Sequence, residues 1–143
     1  MGGDKVYRGF IGTWVLIPET CDYEQSEPPL SGTYRIEEAA EEGLRFHMAW
    51  TDSAGEQHAA SFSGIPDGKP RPFSGGDLAD AMSITAMSER ELWSSAFYRG
   101  KELMVAQRQL DDTGQAMRVI QQERLPDGTS PRNISVYRKQ VLN

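Results

Sequence analysis

The chemistry open to this sequence starts from two histidines, one cysteine and a broad set of aromatic and methionine side chains. His47 and His58 lie on either side of Ser53-Ala54-Gly55, so a hairpin there sets them on neighbouring strands and could bring them close. Two imidazoles alone make a poor metal centre, because catalytic zinc takes three protein ligands, and no third ligand at hairpin or helical spacing accompanies them. His47 has the parity opposite to Phe46 and Met48, which puts it on an outer surface. Cys21 has no histidine nearby in sequence to activate its thiol. A Gly-x-Ser-x-Gly elbow, a phosphate-binding glycine loop and a Cys-x-x-Cys pair are all missing. The residues therefore name no catalytic group, no metal and no cofactor; a haem on His47 or His58 would have nothing else to hold it. What remains is an apolar set, Phe46, Met48, Trp50, Phe62, Met82, Met87, Trp93, Phe97, Met104 and Met117, of the kind that lines an adaptable cavity, since methionine repacks around varied guests. The same residues would also serve as ordinary core. Small residues in strand positions, Ser63, Ser83, Ser94, Ser95, Ala96 and Ala106, leave room where a solid core would need bulk.

These side chains must be positioned by strands. Turn signals recur at hairpin spacing: Glu42-Gly43, Ser53-Ala54-Gly55, Pro66-Asp67-Gly68, Gly75-Gly76-Asp77, Arg99-Gly100, Asp111-Asp112-Thr113-Gly114 and Pro126-Asp127-Gly128. Between them apolar residues alternate: Tyr34 with Ile36, then Leu44, Phe46, Met48 and Trp50, then Met117 with Val119, the period of half-buried strands. The pattern predicts strands at about 12–18, 32–37, 43–51, 56–63, 69–73, 81–87, 91–98, 101–110, 115–124 and 132–139. Glu37 to Glu42 is too short to hold a helix and reads as a strand end entering a hairpin. Asp22 to Ser31 contains Pro28-Pro29, which cannot donate to a ladder, and reads as a loop across one mouth of the fold. The expectation is an all-β chain, one domain over 1–143, folded as a single antiparallel up-and-down barrel of about 8 to 10 strands. A barrel of this size either packs solid or holds one small molecule.

Composition narrows the partners. The 143 residues carry a net charge of −6 and a sequence pI of about 4.9, which argues against nucleic acid and anionic membrane, both of which require a basic face. No apolar run approaches a membrane span, and Val6 stands where a myristoylation signal needs Ser or Thr. One cysteine excludes an internal disulfide framework, and the opening Met-Gly-Gly-Asp-Lys lacks an apolar secretion core. The expected setting is cytoplasmic, as a monomer or a homodimer.

Gly12-Thr13-Trp14 followed by Leu16 resembles the first-strand signature of the lipocalins and fatty-acid-binding proteins. The whole chain, from about residue 10 to about 139, is similar to small bacterial lipocalin-like domains of the calycin superfamily, with a Trp-x-Leu opening, Asp-Gly turns and a terminal Tyr-x-Lys. The resemblance implies that Gly12 and Trp14 close one end of the barrel and that Arg138 stacks on the Trp14 ring. The segments Tyr98-Arg-Gly-Lys101, Arg108-Gln-Leu110 and Tyr137-Arg-Lys139 are similar to the last three strands of the intracellular fatty-acid-binding proteins. Carried over, Arg108 and Tyr137 would hold a ligand carboxylate. The family's second arginine is replaced by Ser135, so that clamp would be incomplete, with a neutral hydrogen bond in place of a charge-assisted one. Strand parity alone leaves open whether Tyr137, with Ser135 and Asn133, or Ile134 with Val136 faces inward.

The function expected is binding of a small, largely apolar molecule with a carboxylate or other polar end. Arg108, Tyr137 and Ser135 would bind its polar end, and Phe46, Met48, Trp50 and Trp93 its apolar body. Two alternatives stand beside it. One is a cyclase-, isomerase- or hydrolase-type enzyme in the same cavity, with Tyr137 or Arg108 polarising a carbonyl and a glutamate as base. The other is a solid barrel acting as a protein-interaction module.

Overall fold

The computed structural model describes residues 6–40, 43–72 and 79–140. A short 3-10 helix, Val6–Phe10, precedes ten strands: β1 (Gly12–Tyr23), β2 (Ser31–Ala39), β3 (Gly43–Thr51), β4 (Gln57–Gly64), β5 (Arg71–Pro72), β6 (Ala81–Ser88), β7 (Glu91–Tyr98), β8 (Lys101–Leu110), β9 (Ala116–Glu123) and β10 (Arg132–Lys139). They form one antiparallel sheet in the order β4-β3-β2-β1-β10-β9-β8-β7-β6-β5. Every strand thus pairs with its sequence neighbour except across one seam between β4 and β5, and β1 pairs with β10 to join the two halves. Near the seam an isolated bridge joins Asp67 to Thr85, and the two-residue β5 contains Pro72, which has no N–H to donate. The all-β up-and-down barrel expected from the alternation is the fold observed.

Alternation decides which side chains enter. Tyr34 and Ile36 of β2, Leu44 and Phe46 of β3, Leu92, Ser94 and Ala96 of β7, and Met117 and Val119 of β9 are buried on one face, while the residues between them are more exposed. The hairpin from β7 to β8 turns through Arg99 (φ 49°) and Gly100 (φ 81°), two left-handed residues that match the twist of paired strands.

One end of the barrel is plugged. The 3-10 helix buries Tyr7 and Phe10 against Trp14, Ile36, Leu44, Ile84, Leu92 and Met117, and the Trp14 indole donates to the Phe10 carbonyl at 3.0 Å. The cation over the Trp14 ring is Lys139, with Nζ 5.3 Å from the ring. This corrects the expectation for Arg138: Lys139 is the cross-strand partner of Trp14 and shares its face, whereas Arg138 pairs with Val15 and is exposed. β1 also runs further than the pattern suggested, to Tyr23, and β2 extends to Ala39. The added length of β1 is accommodated by a register shift between Ile17 and Asp22. The segments expected to turn at Glu42 and at Gly75-Gly76-Asp77 lie outside the described residues.

Gly12 is needed for its backbone. Its φ is 141°, and a Cβ there would sit 2.9 Å from Lys139 Cε. Gly12→Ala is expected to destabilise the protein by about 1–2 kcal/mol, mostly through backbone strain because the lysine tip can move; urea unfolding against wild type measures the loss.

Candidate functional site

Above the plug the barrel is hollow. A cavity of about 460 Å³ is lined by apolar residues that include Met48, Trp50, Ala60, Phe62, Met82, Met104 and Ala106. Its mouth carries Ser26, Glu27 and Pro29 from the β1–β2 loop and Asp52 from the β3–β4 turn, so the proline loop borders the opening as its sequence suggested. Polar groups reach the inside from four strands: Tyr34, Ser94, Arg108 and Tyr137, with Gln121 and Asn133 further along the wall.

Arg108 is the group that sets the chemistry. It is 2% exposed, and its guanidinium donates through Nε and Nη2 to the Tyr34 hydroxyl at 3.1 and 2.7 Å and through Nη1 to Ser94 Oγ at 3.0 Å. The cation also lies 4.8 Å from the centre of the Phe46 ring and 5.3 Å from that of Tyr34. No carboxylate pairs with it among the described residues. Arginine has five N–H donors, and these contacts use three of them. A charge held out of water with only hydroxyls and ring faces around it is under-compensated, so a bound anion would gain what the protein itself does not supply.

The ladder explains the position. Arg108 lies opposite Leu92 and Val119, both inward residues, and Ser94 pairs with Ala106 one step along the same face. Tyr34 reaches across the barrel from β2 and packs edge-on against Tyr137, with ring centres 5.3 Å apart. Tyr137 shares the inward face of β10 with Asn133, which settles the parity left open by the sequence. Ser135, buried, lies between them on the same strand face, beside the phenols of Tyr137 and Tyr23. Burial, reinforced by the neighbouring Tyr34, Tyr23 and Cys21, holds the Tyr137 phenol well above its ordinary range, so it stays a neutral donor. Burial likewise raises the Cys21 thiol, the opposite of activation.

The remaining candidates divide. Met48 and Trp50 line the cavity, and Phe46 lies beneath it in the core, under the arginine. Trp93 does not line it. On β7 the inward residues are Leu92, Ser94 and Ala96, and Trp93 sits on the outer side with its indole N–H on Glu91. Size misleads on this strand, because the larger alternating set faces out. The two histidines do not meet: His47 pairs with Ser61 and His58 with Trp50, on opposite faces of the β3–β4 ladder. His58 instead stacks on Trp50 at 5.4 Å and contacts Asp52 at 2.8 Å, and ligating atoms of Asp52, Glu56 and His58 lie within 4.8 Å of one another. Asp52 already accepts from the Ala54 and Glu56 amides, so this group closes the hairpin.

With the geometry in hand, comparison with solved structures becomes informative. The fluorescent protein UnaG superposes with a TM-score of 0.60 at 13% identity, covering 93% of this chain and 98% of that one. The zebrafish ileal bile acid-binding protein complexed with cholic acid gives 0.56 at 10% identity, covering 92% and 99%. The redesigned barrel mFAP1 bound to DFHBI gives 0.52 at 11%, covering 95% and 100%. The chain shares the fold of these proteins, an antiparallel up-and-down barrel. Identities this low establish the fold and nothing finer. No protein-family model matches the chain, and no curated protein matches it by sequence. Among the described residues, no helix is long and apolar enough to cross a membrane.

Two measurements check this account. Tyr34→Phe removes the acceptor of two arginine N–H groups and is expected to destabilise the fold by about 1–3 kcal/mol, read from the urea midpoint. For Tyr137 the folded phenol titrates above the unfolded one, so the unfolded chain releases its proton first as pH rises past about 10. Stability contributed by the neutral phenol is therefore present below that pH and falls above it. Between pH 9 and 11.5 the urea midpoint of Tyr137→Phe should decline less steeply than that of wild type.

Proposed function

We propose that this barrel binds a small amphipathic anion, with a carboxylate or similar oxyanion on Arg108 and an apolar body among Met48, Trp50, Phe62, Met82 and Met104. The observation that carries the reading is the guanidinium of Arg108, buried with no counter-charge among the described residues at the wall of a cavity that is apolar along much of its body. Its two N–H groups not used by Tyr34 and Ser94 suit the paired oxygens of a carboxylate. Tyr137 adds a neutral donor, and Gln121 and Asn133 offer further contacts to a polar substituent. A cavity of about 460 Å³ falls within the usual range for small-molecule sites, and methionines let one wall adapt to more than one body shape. The named structural neighbours support the reading in a general way, since one is described with cholic acid and another with DFHBI. The role is that of a carrier or sequestering protein in the cytoplasm, without a chemical step in the cavity.

The decisive comparison is dodecanoate against dodecanol. The acid is expected to bind at least about ten-fold more tightly, as a charge-assisted hydrogen bond to a buried arginine is worth about 1.5–3 kcal/mol. Arg108→Met should abolish that preference while leaving the alcohol's affinity within a few-fold. Displacement of an apolar dye reads both constants. Equal binding of the two ligands to wild type, or binding of neither, would reject the anion-anchor reading.

A further inference from the structure

On the outer face of the barrel, away from the cavity, three polar side chains on adjacent strands form a relay. His47 Nε2 lies 3.0 Å from Glu37 Oε1, and His47 Nδ1 lies 3.0 Å from Ser61 Oγ. The sheet sets this arrangement: His47 and Ser61 are cross-strand partners on β3 and β4, and Glu37 stands one step along on β2, opposite Arg45. Its register places the relay beyond the reach of the apolar interior, with Ser61 exposed.

Elementary acid–base chemistry fixes the proton positions. The hydrogen bond from His47 comes first among the causes that hold the Glu37 carboxyl below its ordinary range, with help from Arg35 and Arg45 at 3.6 and 3.7 Å. An ionised carboxylate can only accept, so in the neutral ring the proton sits on Nε2. Nδ1 is then a lone pair, and the Ser61 hydroxyl must be the donor to it. A serine O–H aimed at an imidazole lone pair, with the far ring nitrogen tied to a carboxylate, is the constellation that activates a hydroxyl as nucleophile. The nitrogen facing the serine here is Nδ1.

The edge position of β4 bears on where negative charge could develop. β4 ends the sheet among the described residues. Successive residues of an antiparallel strand point their N–H groups to opposite sides, so one of Ser61 and Phe62 directs an N–H to the side of β4 that no described strand occupies. Such an amide beside the nucleophile can hold an oxyanion.

We propose that Ser61, His47 and Glu37 constitute a second, surface site that transfers acyl groups from small, unhindered esters to water. Ser61 Oγ bonds to the ester carbonyl carbon as its proton passes to His47 Nδ1. The bond to the alkoxy oxygen breaks, and the same proton leaves with it as the alcohol. Water then attacks the acyl carbon, gives its proton to Nδ1, and releases the carboxylic acid as Ser61 recovers a proton. The open setting of Ser61 implies low selectivity for the acyl group, limited by size.

Ser63 provides an internal control. It lies two residues along the same strand and on the same face, exposed, but its cross-strand partner is Arg45 and not a histidine. The full-length protein is treated with a fluorophosphonate, and modified peptides are quantified by mass spectrometry. Ser61 is expected to react at least about 100-fold faster than Ser63, the range of general-base assistance. His47→Gln and Glu37→Gln, both at partly exposed positions, should each lower the Ser61 rate at least about ten-fold with an unchanged circular dichroism spectrum, and Ser61→Ala should lose hydrolysis of p-nitrophenyl acetate. Labelling of Ser61 no faster than Ser63, or a rate unaffected by His47→Gln, would overturn the proposal.

Discussion

A buried cation with no counter-charge among the described residues governs the interior of this protein. Removing a guanidinium from water is costly unless its hydrogen bonds are made, and Arg108 makes them to Tyr34 and Ser94 from opposite walls. That requirement reaches into the rest of the structure. Tyr34 must arrive on the inward face of β2, which fixes its register against β1 and β3; Ser94 must be small enough to admit the arginine; Phe46 must offer a ring face beneath. Filling the space with leucine would give a more conventional core. Keeping a charge there instead leaves an under-compensated cation in a setting of low dielectric, where its interactions are stronger than in water.

The barrel divides its labour along its axis. At the plugged end the 3-10 helix, Trp14 and a ring of aliphatic side chains supply the apolar burial that stabilises the fold. At the other end, methionines, alanines and serines leave a space that strand packing alone would not require. Much of the apolar burial thus lies apart from the cavity, although Tyr34 belongs to both. Arg108 is where the two regions meet: its charge faces the cavity while its ring contacts belong to the core. The outer face of β2, β3 and β4 is a third environment, wet and charged, where His47, Glu37 and Ser61 engage one another at no cost to the interior.

Much of this was legible in the residues. Alternation and turn chemistry gave the strands, and β3, β7, β8 and β10 run between the boundaries read from pattern alone. Gly12 and Trp14 marked the closed end. The misreadings are instructive because each has a definite cause. Arg138 and Lys139 are adjacent cations, and a shift of one residue decides which one meets Trp14. Trp93 and Phe97 look like lining residues because they are large, yet the strand turns its small residues inward to clear space for Arg108. The Val6–Phe10 plug is too short for periodicity to reveal. Tyr34 as the partner of Arg108 could not be seen at all: the two are 74 residues apart, and only closure of the barrel brings them together.

The pairing of β1 with β10 has a consequence for how the chain becomes a protein. Trp14 finds its ladder partner in Lys139, so the seal of the plugged end joins opposite extremes of the sequence. As the chain emerges during synthesis, β1 to β4 can pair in turn and so can β5 to β9, but the second edge of β1 stays open until β10 arrives. Such long-range closure slows folding. Until it occurs, β1 and β9 are raw edges, and the nascent chain depends on its own charge, or on chaperones, to keep them from pairing with those of another.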